Sequence, residues 1–354
     1  MSIMDKPRAV EKFRKFYKSL RKNDWKIGTN LRVLELVYSN ACNFKCKHCS
    51  TRAPLGENAN ALMSIDKVSS LADEADALGI FEWNMHGGEL LTNAPILFEL
   101  IKAIKPERFY VFLTSNGFLI TRDIACRLAE AGVNRVSISI DSFNPEIHDE
   151  FRGVKGAYDR AIKALEYVQE AGMDPYMNIT VGHFNAFSED VENLLRYSKE
   201  HGYQTFINIA IPSGNWQGHM EVIIDDRDRE RLIELRKKYG NLNRDLWNPF
   251  DKNKEGVLGC QTMSKLYVTP SGDVFPCSFL HIKIGNVYEE SLKDIVDYGY
   301  SIKYFHDYRE KCLAGEDAEF IKKYMIDKKM SVMEPLDARE VFGARDMVNG
   351  SEIC

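Results

Sequence analysis

From Arg32 onward, short apolar runs alternate with longer amphipathic stretches. The runs RVLELVYS (32–39), FEWNMH (81–86), FYVFLT (109–114), RVSISI (135–140), YMNITV (176–181) and TFINIAI (205–211) have the length and the β-branched and aromatic content of strands. Helical patterns begin between them near Ser64, Ala94, Thr121, Lys155 and Ser188, and Gly79, Gly132, Gly172 and Gly202 stand where those helices should stop. Strict βα alternation requires right-handed crossovers and a parallel sheet covered on both faces. The fold is then α/β, as an open doubly wound sheet or as a full or partial barrel. In either case function gathers at the strand C-termini. The segments after the first four strands, SNACNFKCKHCS, HGGELLTN, TSNGF and DSFNPEIHDEFRG, are also the most unusual in composition.

Two flanking regions break the alternation. At the N-terminus Phe13, Phe16, Tyr17 and Leu20 form the stripe of a short amphipathic helix among basic residues that include Lys12, Arg14, Lys15 and Lys18. A contact with membrane or nucleic acid competes here with docking of the apolar stripe on the following domain, and docking is the expectation. After Ile211 the pattern ends at PSGNWQG. A polar helix over 226–239 then leads to two β-type runs around the turn Pro270, Ser271, Gly272, Asp273, a hairpin signal. The expected organisation is an N-terminal helix (1–30), a core (31–225) and a second, cysteine-bearing domain (226–354).

The 354 residues, 44% hydrophobic and 28% charged, suit two domains or one large barrel with an appendage, and exclude disorder, collagen and coiled coil. A net charge of −5 gives no general attraction to nucleic acid. No apolar run approaches the roughly 20 residues that span a bilayer, and no secretory signal is present, so a cytoplasmic protein is expected. In that reducing compartment the eight cysteines read as metal or redox chemistry rather than disulfides.

Cys42, Cys46 and Cys49 form CxxxCxxC directly after the first strand. Three thiolates are one short of a closed zinc site and suit a 4Fe-4S cluster with one open iron. A zinc knuckle completed by His48 is the alternative. CNFKCKHC, Gly87-Gly88-Glu89, TSNG and SISID fall at four successive strand ends, and in this order and spacing the segment from about Leu31 to Ile211 resembles the radical S-adenosylmethionine (SAM) enzymes.

That resemblance implies a partial (β/α)6 TIM-type barrel. In it the open iron binds SAM, and one-electron reduction yields a 5′-deoxyadenosyl radical that abstracts hydrogen from substrate. Matched position by position, Gly87, Gly88 and Glu89 would receive the methionyl amine, the His48 backbone and Ile211 would meet the adenine, and Ser139 and Arg152 would hold SAM's polar groups. Strand parity adds substrate candidates. Leu34, Leu36 and Tyr38 share one face, so Glu35 should point into the barrel, and Glu82, Asn84 and His86 share a parity as well. Glu35 and His86 are the catalytic candidates, with Asn178, Trp216 and Arg52 as further pocket residues.

Cys260 and Cys277 flank the hairpin, and with IGN at Gly285 and Cys312 in KCLAGED they resemble the C-terminal SPASM or twitch extensions of that family. Too few cysteines remain for two auxiliary clusters, so the resemblance implies one auxiliary 4Fe-4S cluster, with Cys354 as a candidate fourth ligand. Cys126 reads as a small buried hydrophobe. The expected activity is oxidation or epimerisation of a sugar, aminocyclitol or nucleotide conjugate, with flavodoxin or ferredoxin as electron donor. The alternatives are maturation of a peptide and a zinc-binding adaptor without activity.

Overall fold

The computed structural model describes residues 3–51, 62–331 and 334–348. The six strand patterns are strands β1 (Val33–Val37), β2 (Glu82–His86), β3 (Tyr110–Ser115), β4 (Arg135–Ser139), β5 (Asp174–Val181) and β6 (Gln204–Ile209), each parallel to the next. Helix α1 (Pro7–Lys22) precedes them, and α2 (Ile65–Ala77), α3 (Ala94–Ala103), α4 (Arg122–Glu130), α5 (Pro145–Arg152), α6 (Ala157–Glu170) and α7 (Glu189–Glu200) form the crossovers. Ser64, Thr121 and Ser188 cap α2, α4 and α7 by accepting the backbone N–H of Lys67, Ile124 and Val191, which is why those helices begin there. Helix α5 is an addition to the expected set. Its signal was the pair Asn144-Pro145, whose Asn side chain accepts from Glu146 N and Ile147 N.

Alternate side chains of each strand face outward onto the helices. Leu34, Leu36, Trp83, Met85, Val111, Leu113, Val136 and Ile138 are buried there against residues such as Val68, Leu71, Leu97 and Leu100. The opposite parity lines the barrel interior.

The chain continues through α8 (Asp226–Tyr239), which matches the polar helix seen in the sequence, and β7 (Leu242–Asn243), which pairs with β6. The hairpin β8 (Lys265–Val268) and β9 (Asp273–Phe275) is antiparallel, and β8 also lies parallel to β1. With β10 (Ile282–Lys283) set apart on Leu336–Asp337 and β11 (Gly285–Asn286) on β9, the main sheet runs β11-β9-β8-β1-β2-β3-β4-β5-β6-β7. It is a partial TIM-type barrel whose β1 edge is extended by the C-terminal hairpin, and α9 (Leu292–Tyr300) lies against α2, where Leu292 N donates to Glu74 Oε2 at 2.6 Å.

Helix α1 docks. Phe16 and Leu20 pack with Ile27, Phe81 and Leu258, and Lys12, one of the basic residues available for a surface contact, is buried with its ammonium 2.8 Å from Asp76 Oδ1 and 2.7 Å from Ile80 O. Asp76 also holds Arg8 and lies 3.6 Å from Arg108. Removing this carboxylate strands buried cations, so Asp76→Ala should lose about 3 kcal/mol in chemical denaturation. Lys15→Ala, which removes an exposed pair with Glu11, should change stability by less than about 0.5 kcal/mol.

Candidate active site

The loop after β1 is fixed from three sides. Phe44 is buried against Phe118, Lys47 N donates to Phe151 O at 3.0 Å, and Cys49 N donates to Cys46 O at 3.3 Å. The third side is the turn after β2, where Gly88 N donates to Ser39 O (3.2 Å) and Glu89 N to Ala41 O (2.7 Å). A Cβ on Gly88 would lie 2.0 Å from Ala41 O, so only glycine permits this backbone approach. The Cys42, Cys46 and Cys49 side chains therefore converge from one short loop onto a cavity of about 320 Å³ at the strand C-termini.

The same cavity is lined by Glu35, His48, His86, Gly87, Gly88, Ser139, Arg152 and Ile211, and by Asn178 and Trp216. His48 is half-buried, stacked at 4.5 Å on Phe151, and desolvation pushes its pKa down to about 4, which keeps it neutral. Arg152 faces the cavity, but the fork expected for a ligand carboxylate is closed on Asp141, with Nε 2.6 Å and Nη2 2.5 Å from Oδ2. Its Nη1 remains 3.9 Å from Cys46 Sγ. Burial works against the charge of Asp141, and Arg152 overcomes it to hold the carboxyl down at about 2. Glu89 departs from expectation. It does not line the cavity, and its carboxylate accepts from Leu91 N, Ser115 Oγ and Asn116 N, which locks the β2 and β3 loops together. Its backbone neighbours, not its charge, border the site. Arg52 and Cys354 lie outside the described residues.

Lower in the barrel, Glu35 points inward as its parity requires. Its Oε1 accepts from Asn84 Nδ2 (2.9 Å) and lies 3.2 Å from Lys265 Nζ, while Oε2 stands 3.9 Å from His86 Nε2. Lys265 also donates to Asp245 Oδ2 (2.6 Å), whose other oxygen accepts from Arg32 (2.7 Å). Burial disfavours the Glu35 charge, yet Lys265, His86 and Asn84 together hold its pKa below the ordinary carboxylate value, and burial lowers that of His86. The wall is thus an ionised carboxylate beside a neutral imidazole. Sequence reasoning missed Lys265, Asp245, Arg32, Arg135 and Asn208 on this wall. Arg135 and Lys265 are the first residues of β4 and β8, where a charge carries no signal like that of Glu35 in the middle of β1.

Cys260, Cys277 and Cys312 line an adjoining cavity of about 70 Å³. Glu316 is buried behind it, accepting from Cys312 N (2.9 Å), Arg244 Nη2 (2.6 Å) and Arg229 Nε (2.8 Å). Cys260 Sγ lies 3.1 Å from Thr262 Oγ1, and the influence of the two neighbouring thiols on each other lowers the pKa of Cys260 and raises that of Cys312. Cys126 corrects a sequence expectation: it is exposed on α4, whose buried positions are Ala125 and Leu128, and it lines neither cavity.

Residues 36–198 match the radical SAM superfamily, and residues 260–314 match the SPASM family, an iron-sulfur cluster-binding domain. The chain is 29% identical over 297 residues to the AdoMet-dependent heme synthase of Methanosarcina barkeri, covering 75% of this chain and 81% of that protein. It is 32% identical over 153 residues to the GTP 3′,8-cyclase of Xanthomonas campestris, covering 42% and 44%. Streptococcus suis SuiB, solved with S-adenosylmethionine and with its precursor peptide SuiA, shares the fold with a TM-score of 0.59 at 19% identity, over 80% of this chain and 68% of that one.

The two cysteine sets fit 4Fe-4S clusters, and the first fits SAM. Burial pushes the Cys42 and Cys277 thiols up to about 12 and raises Cys46, so thiolates there are stable only on a cation. Anaerobically reconstituted protein should contain about eight irons per chain, falling to about four when Cys42, Cys46 and Cys49 are all alanine. Gly88→Ala should lose the same four while keeping the auxiliary set, as measured by iron and sulfide analysis.

Proposed function

We infer, from a chain that is a radical SAM superfamily enzyme with a C-terminal SPASM-type iron-sulfur domain, that its reaction begins with hydrogen abstraction from a polar small molecule. The substrate is a sugar, aminocyclitol or nucleotide conjugate, and the outcome is oxidation or epimerisation. The observation that carries this reading is the inner wall, where Glu35, Asn84, His86, Asn178, Asn208 and Lys265 offer hydrogen-bonding groups in a cavity of about 320 Å³. Two of the relatives are named for small molecules, heme and GTP.

Gly87 and Gly88 would receive the methionyl amine of SAM, with Arg152 through Nη1, Ser139, Ile211 and the His48 backbone at its other groups. The clusters and SAM supply the redox chemistry, a one-electron cleavage that makes a hydrogen-abstracting species and, at the auxiliary cluster, a place for an electron left by an oxidised substrate. The chain's own part is positional and acid–base. Neutral His86, its Nε2 turned toward Glu35 Oε2, takes the proton of a substrate hydroxyl at Nδ1, and ionised Glu35 stabilises the imidazolium that results. Flavodoxin or ferredoxin is the electron donor of this scheme.

A peptide substrate is the second reading. It is favoured by exposed apolar side chains near the mouth: Phe184, 52% exposed, packs on the cavity residue Trp216, with Met220 at 40% in the same segment. The test is deuterium transfer into 5′-deoxyadenosine from labelled sugars, aminocyclitols and nucleotide sugars. Transfer from one of these classes is expected, and transfer from peptides alone would overturn the small-molecule reading. With the true substrate, His86→Asn should keep hydrogen transfer and lower oxidised product about 100-fold.

A further inference from the structure

Lys265 belongs to both cavities. Strand β8 pairs with β1 on one side, with Val33 beside Lys265 and Glu35 beside Tyr267, and with β9 on the other, with Tyr267 opposite Phe275. The hairpin ladder ends at that pair, and beyond it Cys277 bridges to Leu280, which leaves Lys265 and Cys277 lining the same small cavity. The half-buried ammonium divides itself between Glu35 Oε1 at 3.2 Å and Asp245 Oδ2 at 2.6 Å. Both carboxylates have additional partners, Asn84 for Glu35 and Arg32 for Asp245. No other lysine lines either cavity among the described residues.

We propose that Lys265 is a positioning residue that couples the two sites, its charge setting the reduction potential of the auxiliary cluster while its ammonium holds the Glu35 carboxylate in place at the substrate. This deepens the function proposed above and rests on it for the substrate side. The physical argument is sign and distance. A cluster that gains an electron gains negative charge, and a cation on its wall favours that state in a low-dielectric interior. The carboxylates that share the ammonium oppose it. Any substrate group that donates to Glu35 reduces the carboxylate's opposing field, so substrate binding and electron acceptance favour each other. Such coupling is reciprocal.

The experiment is a redox titration of the reconstituted protein followed by electron paramagnetic resonance, with no substrate present. Lys265→Met should lower the midpoint of the auxiliary cluster, Glu35→Gln and Asp245→Asn should raise it, and Lys265→Arg should leave it near the wild-type value. The SAM-site cluster should move less in every case. If Lys265→Met loses iron, Lys265→Met combined with Asp245→Asn restores local charge balance, and this pair compared with Asp245→Asn alone should still show the downward shift. A merely structural lysine would lower iron content without opposite shifts for the two signs of charge. Unchanged midpoints, or Lys265→Met and Glu35→Gln moving the same way, would overturn the proposal. Because the titration needs no substrate, such a result leaves the small-molecule reading standing, and failure of the deuterium transfer leaves the potentials standing.

Discussion

The pairing of β8 with the open edge of β1 is the constraint on which the rest of the site depends. A parallel barrel that stops at six strands leaves the backbone groups of its first strand unpaired on one side. Here the C-terminal hairpin supplies the missing partner over Val33–Leu36. That single ladder makes the auxiliary domain a continuation of the barrel sheet. It also carries Lys265 and Tyr267 onto the inner wall, and brings the Cys260, Cys277 and Cys312 cavity against the barrel cavity.

Burying so much charge needs local neutrality. Arg32, Lys265, Glu35 and Asp245 form a net-neutral group in which each carboxylate has a cation within 3.2 Å. A buried network of this kind seldom adds stability over apolar packing, since desolvation offsets most of the attraction. Its value is positional: it fixes where Glu35 and His86 stand and keeps one ionised beside the other neutral. Arg152 with Asp141, and Glu316 with Arg244 and Arg229, repeat the device at the two cysteine sets.

The cluster loop illustrates a different economy of parts. Its geometry depends on backbone contact with the Gly87-Gly88 turn rather than on side-chain packing, so the two glycines define the loop by what they lack. Glu89 completes the turn from behind, through Ser115 and Asn116, which ties the ends of β2 and β3 to the same loop.

The sequence by itself determined the six βα units, the helix caps at Ser64, Thr121 and Ser188, the hairpin, and the inward direction of Glu35 and His86. These follow from periodicity and spacing, which are properties of neighbouring residues. The CxxxCxxC spacing likewise marked the first cysteine set before any fold was known, and the resemblance to SPASM or twitch extensions marked the second. Only the tertiary structure decided that β8 lies beside β1, because register between strands more than 200 residues apart has no local signal. With that register came the partners of Lys265, the closing of Arg152 on Asp141, and the turning of Glu89 away from the cavity. The exposure of Cys126 was settled in the same way, by the rotation of α4 on the sheet. Each is a choice among partners that the chain offers equally well in one dimension and that packing resolves in three.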